Sequence, residues 1–189
     1  PHQIVDLHGA CLIEGVHNMR FAILVETLCL EPIWAGDRLV FPAAPVTGYA
    51  YTETGTFQRA ADVPFIEPLT LLSYIASVTS RIRIGTTVII VPYRHPIVQA
   101  TMFAGLDVLT GGRVICGVGV GWLKEEFYAL DAPFAERGAM TSEYLEIFEC
   151  LWRDKVVSFD GKFHQFSNIT FEPKPVQQPR IPIWVGGHT

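Results

Sequence analysis

Two short stretches hold residue types whose spacing could do chemistry. In the first, Gly117, Gly119 and Gly121 alternate with Val118 and Val120. Alternation on a strand puts all three glycines on one face. Glycine inside a strand usually marks the close approach of a ligand or of another backbone. A parallel strand with one bare face leaves room for a flat ring; a tight core that needs small residues is the competing reading. A dinucleotide loop of the G-x-G-x-x-G kind does not fit, because position 124 is lysine and the glycines lie inside the strand. The second stretch is Asp37-Arg38, an acid–base pair closing the run that begins at Pro32.

The elements around these residues form a repeating unit. Residues 84–91 are apolar and largely β-branched, which suits a buried strand. Pro96 suits the first turn of a helix and Gly111-Gly112 its stop. Residues 114–120 are apolar again, so the unit is strand, helix, strand, with a crossover long enough to make the two strands parallel and adjacent. Residues 4–7 and 32–40 read as earlier strands, 9–15 as a connecting loop, and 16–28 and 64–81 as helices. Residues 41–64, rich in Pro, Gly, Thr and Ala, read as a long loop covering a site. Residues 123–130 form a short helix in which Glu125 and Glu126 are solvated acids pointing in different directions. Residues 141–152 are amphipathic, with Tyr144, Leu145, Phe148, Leu151 and Trp152 on one face. Residues 156–166 form a hairpin turning at Asp160-Gly161, and 173–182 run extended into a last strand at 183–185.

The segments Val-Ile-Ile-Val-Pro-Tyr-Arg-His-Pro from Val88, Leu-Asp-Val-Leu-Thr-Gly-Gly-Arg from Leu106 and Gly-Val-Gly-Val-Gly-Trp-Leu-Lys-Glu-Glu-Phe from Gly117 stand in this order along the chain. Together they resemble the luciferase-like monooxygenase superfamily, and within it the oxidoreductases that use a deazaflavin coenzyme. Ile33-Trp34-Ala35-Gly36-Asp37 upstream, and Arg137, Glu143-Tyr144-Leu145, Pro173-Lys174-Pro175 and Ile183-Trp184-Val185-Gly186-Gly187 downstream, extend the likeness. The resemblance implies an α/β fold of the (β/α)8 TIM-barrel type, in which chemistry sits at the C-terminal ends of the strands. It places a bulge with a non-prolyl cis bond at Thr86, Thr87 and Val88 behind the cofactor ring, the bond being Thr87–Val88. The cofactor-binding set it implies is Thr86, Thr87, Val88, Gly119, Gly121, Trp122, Gly186 and Gly187, the last two offering backbone N–H groups to a phosphate. It makes Asp37 and Arg38 the catalytic candidates. Many relatives carry histidine in place of Arg38; a guanidinium does not exchange protons near neutral pH, so Arg38 would hold an anionic ring or substrate group, or else pair with Asp37 or a neighbour. His95 reads as a helix cap or packing residue.

The resemblance implies a hydride transfer between coenzyme F420 and a small organic substrate, with an FMN-dependent two-component monooxygenase as the alternative. A homodimer, and for FMN a separate flavin reductase, are the implied partners. Five wall strands are counted, near 4–8, 32–37, 84–91, 113–120 and 182–186, where a closed barrel has eight. With no initiator methionine either, the expectation is a single domain over 1–189 cut after its fifth strand, the 156–166 hairpin being an insertion. An inert fragment or pairing module is the rival reading. At 189 residues, 49% hydrophobic, the chain can bury a sizeable core. A net charge of −5 without a basic run argues against nucleic acid. No apolar stretch approaches about 18 residues, which argues against a membrane span. The four separated cysteines have no metal spacing and read as reduced thiols of a cytoplasmic protein.

Overall fold

The apolar runs do become parallel strands, in the order set by their crossovers. The computed structural model describes residues 3–4, 11–12, 32–47, 55–57 and 64–186. In chain order its strands are β1 (Gln3–Ile4), β2 (Cys11–Leu12), β3 (Ile33–Ala35), β4 (Val46–Thr47), β5 (Thr56–Phe57), β6 (Ile84–Thr86), β7 (Ile89–Ile90), β8 (Val114–Gly119), β9 (Val156–Asp160), β10 (Gln165–Thr170) and β11 (Ile183–Val185). The main sheet runs β1-β11-β8-β6-β3-β2, with β7 also pairing β8. Every pairing in it is parallel.

The N-terminal expectation needs correcting. In place of one first strand near 4–8, β1 lies beside the last strand and β2 lies beside β3, at opposite edges of the sheet. β2 falls within the stretch read as a connecting loop. Residues 5–8 and the helix expected over 16–28 lie outside the described residues.

Punctuation residues set the helices. In α1 (Pro68–Ser77) the Glu67 carboxylate accepts from Thr70 N at 2.8 Å, and Pro68 sits in the first turn. Its next helix, α2 (Pro96–Thr110), is capped by His95, whose Nδ1 accepts from Ile97 N at 3.3 Å. That helix stops at Gly111 with φ +64°, the left-handed conformation that favours glycine. A short α3 (Lys124–Ala129) follows β8, and α4 (Arg137–Arg153) begins one turn earlier than its amphipathic stripe.

The sheet separates its two faces cleanly. One face, with Ile33, Ile84, Val114, Cys116, Val118 and Ile183, packs on Leu72, Phe103, Phe148 and Leu151 of the helices. The other carries Trp34, whose ring centroid lies 5.2 Å from that of Trp184. Trp34 lies flush over Gly85: a Cβ there would come within 2.5 Å of its ring. Large and small residues thus interlock across neighbouring strands.

Two loops hold more order than expected. Within 41–64, β4 and β5 pair antiparallel, while 48–54 and 58–63 lie outside the described residues. β9 and β10 form the expected hairpin, but residues 161–164 connect them, closed by Gly161 N–H donating to His164 O at 3.0 Å. The Glu143 carboxylate on α4 accepts from the N–H groups of Lys162, Phe163 and His164. That side-chain cap supports a longer turn than the Asp160-Gly161 signal alone suggests. Among the described residues no helix is long and apolar enough to cross a membrane.

Candidate active site

The strand that precedes α2 contains one residue too many. Ile84 and Gly85 pair with Val114 and Ile115, an offset of 30, whereas Ile89 and Ile90 pair with Val118 and Gly119, an offset of 29. The extra residue bulges out at Thr86-Thr87-Val88, where the Thr87–Val88 peptide bond is cis. Three hydrogen bonds pin the bulge: Thr87 N–H to Ala35 O at 2.8 Å, Thr86 Oγ1 to Gly117 O at 2.6 Å, and Ile90 N–H to Asp37 Oδ2 at 2.8 Å.

The bulge explains the glycines and corrects the bare-face reading. A Cβ on Gly117 would sit 1.8 Å from the Thr86 carbonyl oxygen. On Gly119 it would meet Val88 Cγ2 at 2.4 Å, and on Gly186 it would meet Val88 Cγ1 at 2.6 Å. The glycines of β8 therefore admit the neighbouring chain, and the Val88 side chain seats between Gly119 and Gly186. Gly121 has φ +78°, and its Cβ position is closed by Ile90 and Phe127 at 2.8 Å each. Thr87 and Val88 are half-buried while Thr86, Ile89 and Ile90 beside them are buried, so the bulge is what the strand ends present. Gly186 also differs from expectation: its N–H donates to Val118 O at 2.9 Å within the sheet. Gly187 lies outside the described residues.

Asp37 and Arg38 stand at the end of β3 but do not pair with each other. Asp37 takes Arg94 in a two-point grip, Nη1 to Oδ2 at 2.7 Å and Nη2 to Oδ1 at 2.8 Å. Arg94 Nη2 also reaches Glu67 Oε1 at 3.1 Å. Loss of solvent pushes the Asp37 carboxyl above its ordinary value, and the Arg94 hydrogen bonds and charge oppose that rise. For Arg94, burial works against the charge, and the Asp37 and Glu67 carboxylates outweigh it to push the guanidinium higher.

Arg38 turns to Glu126 on α3, Nη1 to Oε2 at 2.5 Å, and its guanidinium carbon lies 5.5 Å from the Trp122 ring centroid. Glu126 is not the solvated acid expected from its neighbour Glu125: its exposure is 0%. The same carboxylate accepts from Leu39 N at 2.7 Å, Val40 N at 3.3 Å and the Tyr93 hydroxyl at 2.8 Å. Burial first, and then that carboxylate, push the Tyr93 phenol far above its usual value. Arg137 closes the ring of contacts, with Nε donating to Gly121 O at 3.0 Å.

All these groups lie at the C-terminal ends of β3, β7, β8 and β11. The structure brings Asp37, Arg38, the bulge and Trp122 to one end of the sheet, with Gly119, Gly121 and Gly186 packed behind or beside them. Glu126, Tyr93, Arg94 and Glu67 are the residues that sequence reading missed. The signal that was available lay in Arg94 directly before the helix cap and in Glu126 after the glycine strand; their partners are 57 and 88 residues away.

Comparison with known proteins shows the family. The family described as luciferase-like monooxygenase matches residues 16–189. An F420-dependent glucose-6-phosphate dehydrogenase of Kineococcus radiotolerans is 30% identical over 97% of this chain and 54% of its own length. An FMNH(2)-dependent dimethylsulfone monooxygenase of Pseudomonas putida is 31% identical over 64% of this chain and 34% of its own. The crystal structure of monooxygenase RslO1 from Streptomyces bottropensis superposes with a TM-score of 0.72 at 27% identity, covering 89% of this chain and 46% of that one. The chain spans about half the length of the curated relatives it matches, 49% for those 39% identical to it. With its parallel sheet, its bulge and its site at the strand ends, the chain belongs to the luciferase-like monooxygenase family, an α/β fold of the TIM-barrel type.

Proposed function

We propose that the full-length protein is an oxidoreductase that transfers a hydride between coenzyme F420 and a small organic substrate, at the strand ends described above. The observation that carries this reading is the one-residue bulge at Thr86-Thr87-Val88, seated on Gly117, Gly119 and Gly186. Held by Ala35 O, Gly117 O and Asp37, it is a firm backing for one side of a flat tricyclic ring. The residues present fit a flavin or deazaflavin: half-buried backbone and valine to back the ring, with Trp122 and the Arg38 guanidinium at the rim.

When bound, the deazaflavin supplies two-electron chemistry, and FMN in its place would supply oxygen chemistry after reduction by a separate reductase. Thr87 and Val88 set the depth of the ring. Asp37 fixes the end of the bulge through Ile90 N–H and so orients it. Arg38 holds the anionic edge of the ring through its guanidinium. The strand-end glycines Gly119 and Gly186 act through Val88 and not by touching the cofactor.

F420 is preferred because the glycine-strand and Pro-Lys-Pro segments resemble the deazaflavin enzymes, and because the F420-dependent relative aligns over 97% of the chain. FMN is the second reading, supported by the relative named for FMNH(2). A homodimer is part of the proposal. The test is a fluorescence titration of the full-length protein with F420 and with FMN. Saturable binding, tighter for F420, is the expected result. Tighter binding of FMN would replace the first reading by the second, and binding of neither would overturn both.

A further inference from the structure

We infer that Glu126 is a positioning residue, which sets the Arg38 guanidinium and thereby the affinity of the site for an anionic ring; the inference rests on the reading of Arg38 given under Proposed function. The argument begins with where the four hydrogen bonds of this carboxylate come from. Three of the donors belong to one short segment: the Arg38 side chain, Leu39 N–H and Val40 N–H. Glu126 thus grips the tip of Arg38 and the backbone just after it, fixing both ends of a long side chain that would otherwise sample many rotamers.

The fourth donor, the Tyr93 hydroxyl, comes from the turn after β7. It shares Oε2 with Arg38, so the oxygen that holds the guanidinium is itself held. Glu126 also sits four residues after Trp122, and Arg38 lies over that ring. The glycine-strand end, the bulge strand end and the β3 end therefore meet at one buried carboxylate. An acid needed only to join α3 to the sheet could do so through the Leu39 and Val40 amides, without reaching the guanidinium. Arg94 is held differently, by two carboxylates at three points, in the manner of a closed structural pair.

A double-mutant cycle on the full-length protein tests this, with Arg38→Ala, Glu126→Gln and the two combined, read as dissociation constants for coenzyme F420 and FMN. Each single change should weaken the preferred cofactor about tenfold, and the double variant should be no weaker than Arg38→Ala alone. Tyr93→Phe, which keeps the carboxylate, should weaken binding about threefold in the wild-type background and not at all without Arg38. It stands in if Glu126→Gln fails to fold. Equal losses from Glu126→Gln with and without Arg38 would show a merely structural role and overturn the inference. Weakening by Arg38→Ala alone, with Glu126→Gln and Tyr93→Phe both silent, would overturn the inference and leave the Arg38 reading standing. A silent Arg38→Ala, or binding of neither probe, would overturn that reading and this inference together.

Discussion

Asp37 and Arg38 are neighbours in sequence and belong to two different parts of the molecule. Asp37 faces inward to the bulge, where its carboxylate is committed to Arg94 and to Ile90 N–H, and where the Cβ positions of Gly117, Gly119 and Gly186 are already filled by chain. Arg38 faces the strand-end rim, where one N–H meets Glu126 and the guanidinium lies against Trp122, its side chain as little exposed as that of Arg94, 11% against 12%. The first region is closed and holds the fold; the second is arranged around a charge. Two residues that read as one acid–base pair are each paired elsewhere, Asp37 with Arg94 and Arg38 with Glu126.

Changes in the closed region should cost the most stability. Gly117→Ala would drive a methyl group into the Thr86 carbonyl, backbone against backbone, where neither side can swing away. We expect a loss of about 4 kcal/mol or more in denaturant-induced unfolding, the tail of the range for single substitutions. Arg94→Ala should follow, at about 3–5 kcal/mol, because it leaves the buried Asp37 carboxylate with Ile90 N–H alone among its described donors. Arg94→Lys should rescue little of that, since an ammonium cannot span both carboxylate oxygens in the same plane. At the rim Arg38→Ala should cost less, about 1–2 kcal/mol, because Glu126 keeps three of its four donors. The smallest effect is expected for Tyr93→Phe, about 1 kcal/mol, as one hydroxyl is lost from a carboxylate that stays paired with Arg38. Equal losses for Arg94→Ala and Arg38→Ala in urea titrations would break the distinction.

The sequence reading succeeded where a local signal decides the outcome. Pro96 and Gly111 bracket α2 because their own backbone preferences start and stop a helix. The β-branched runs of β6 and β8 became buried parallel strands for the same reason, and that of β11 a half-buried one. It fell short where a residue's state depends on partners far along the chain. Glu126 looks like Glu125 in a one-dimensional pattern, yet it is buried where Glu125 is exposed, and it meets a donor 88 residues distant. The alternation of Gly117, Gly119 and Gly121 was legible, but what fills the space was not: that is set by a one-residue offset between two ladders, which no periodicity records. The edges of the sheet were misread because β1 and β2 are two residues each, too short for an alternation signal.

The division of labour between the closed region and the rim is tested most directly by one paired measurement on the full-length protein. Arg94→Ala and Arg38→Ala are each assayed for unfolding free energy and for the dissociation constants of F420 and FMN. The account predicts opposite rankings: Arg94→Ala loses more stability, and Arg38→Ala, still folded, loses about tenfold in affinity. An Arg38→Ala protein that binds both cofactors as the wild type does would contradict it.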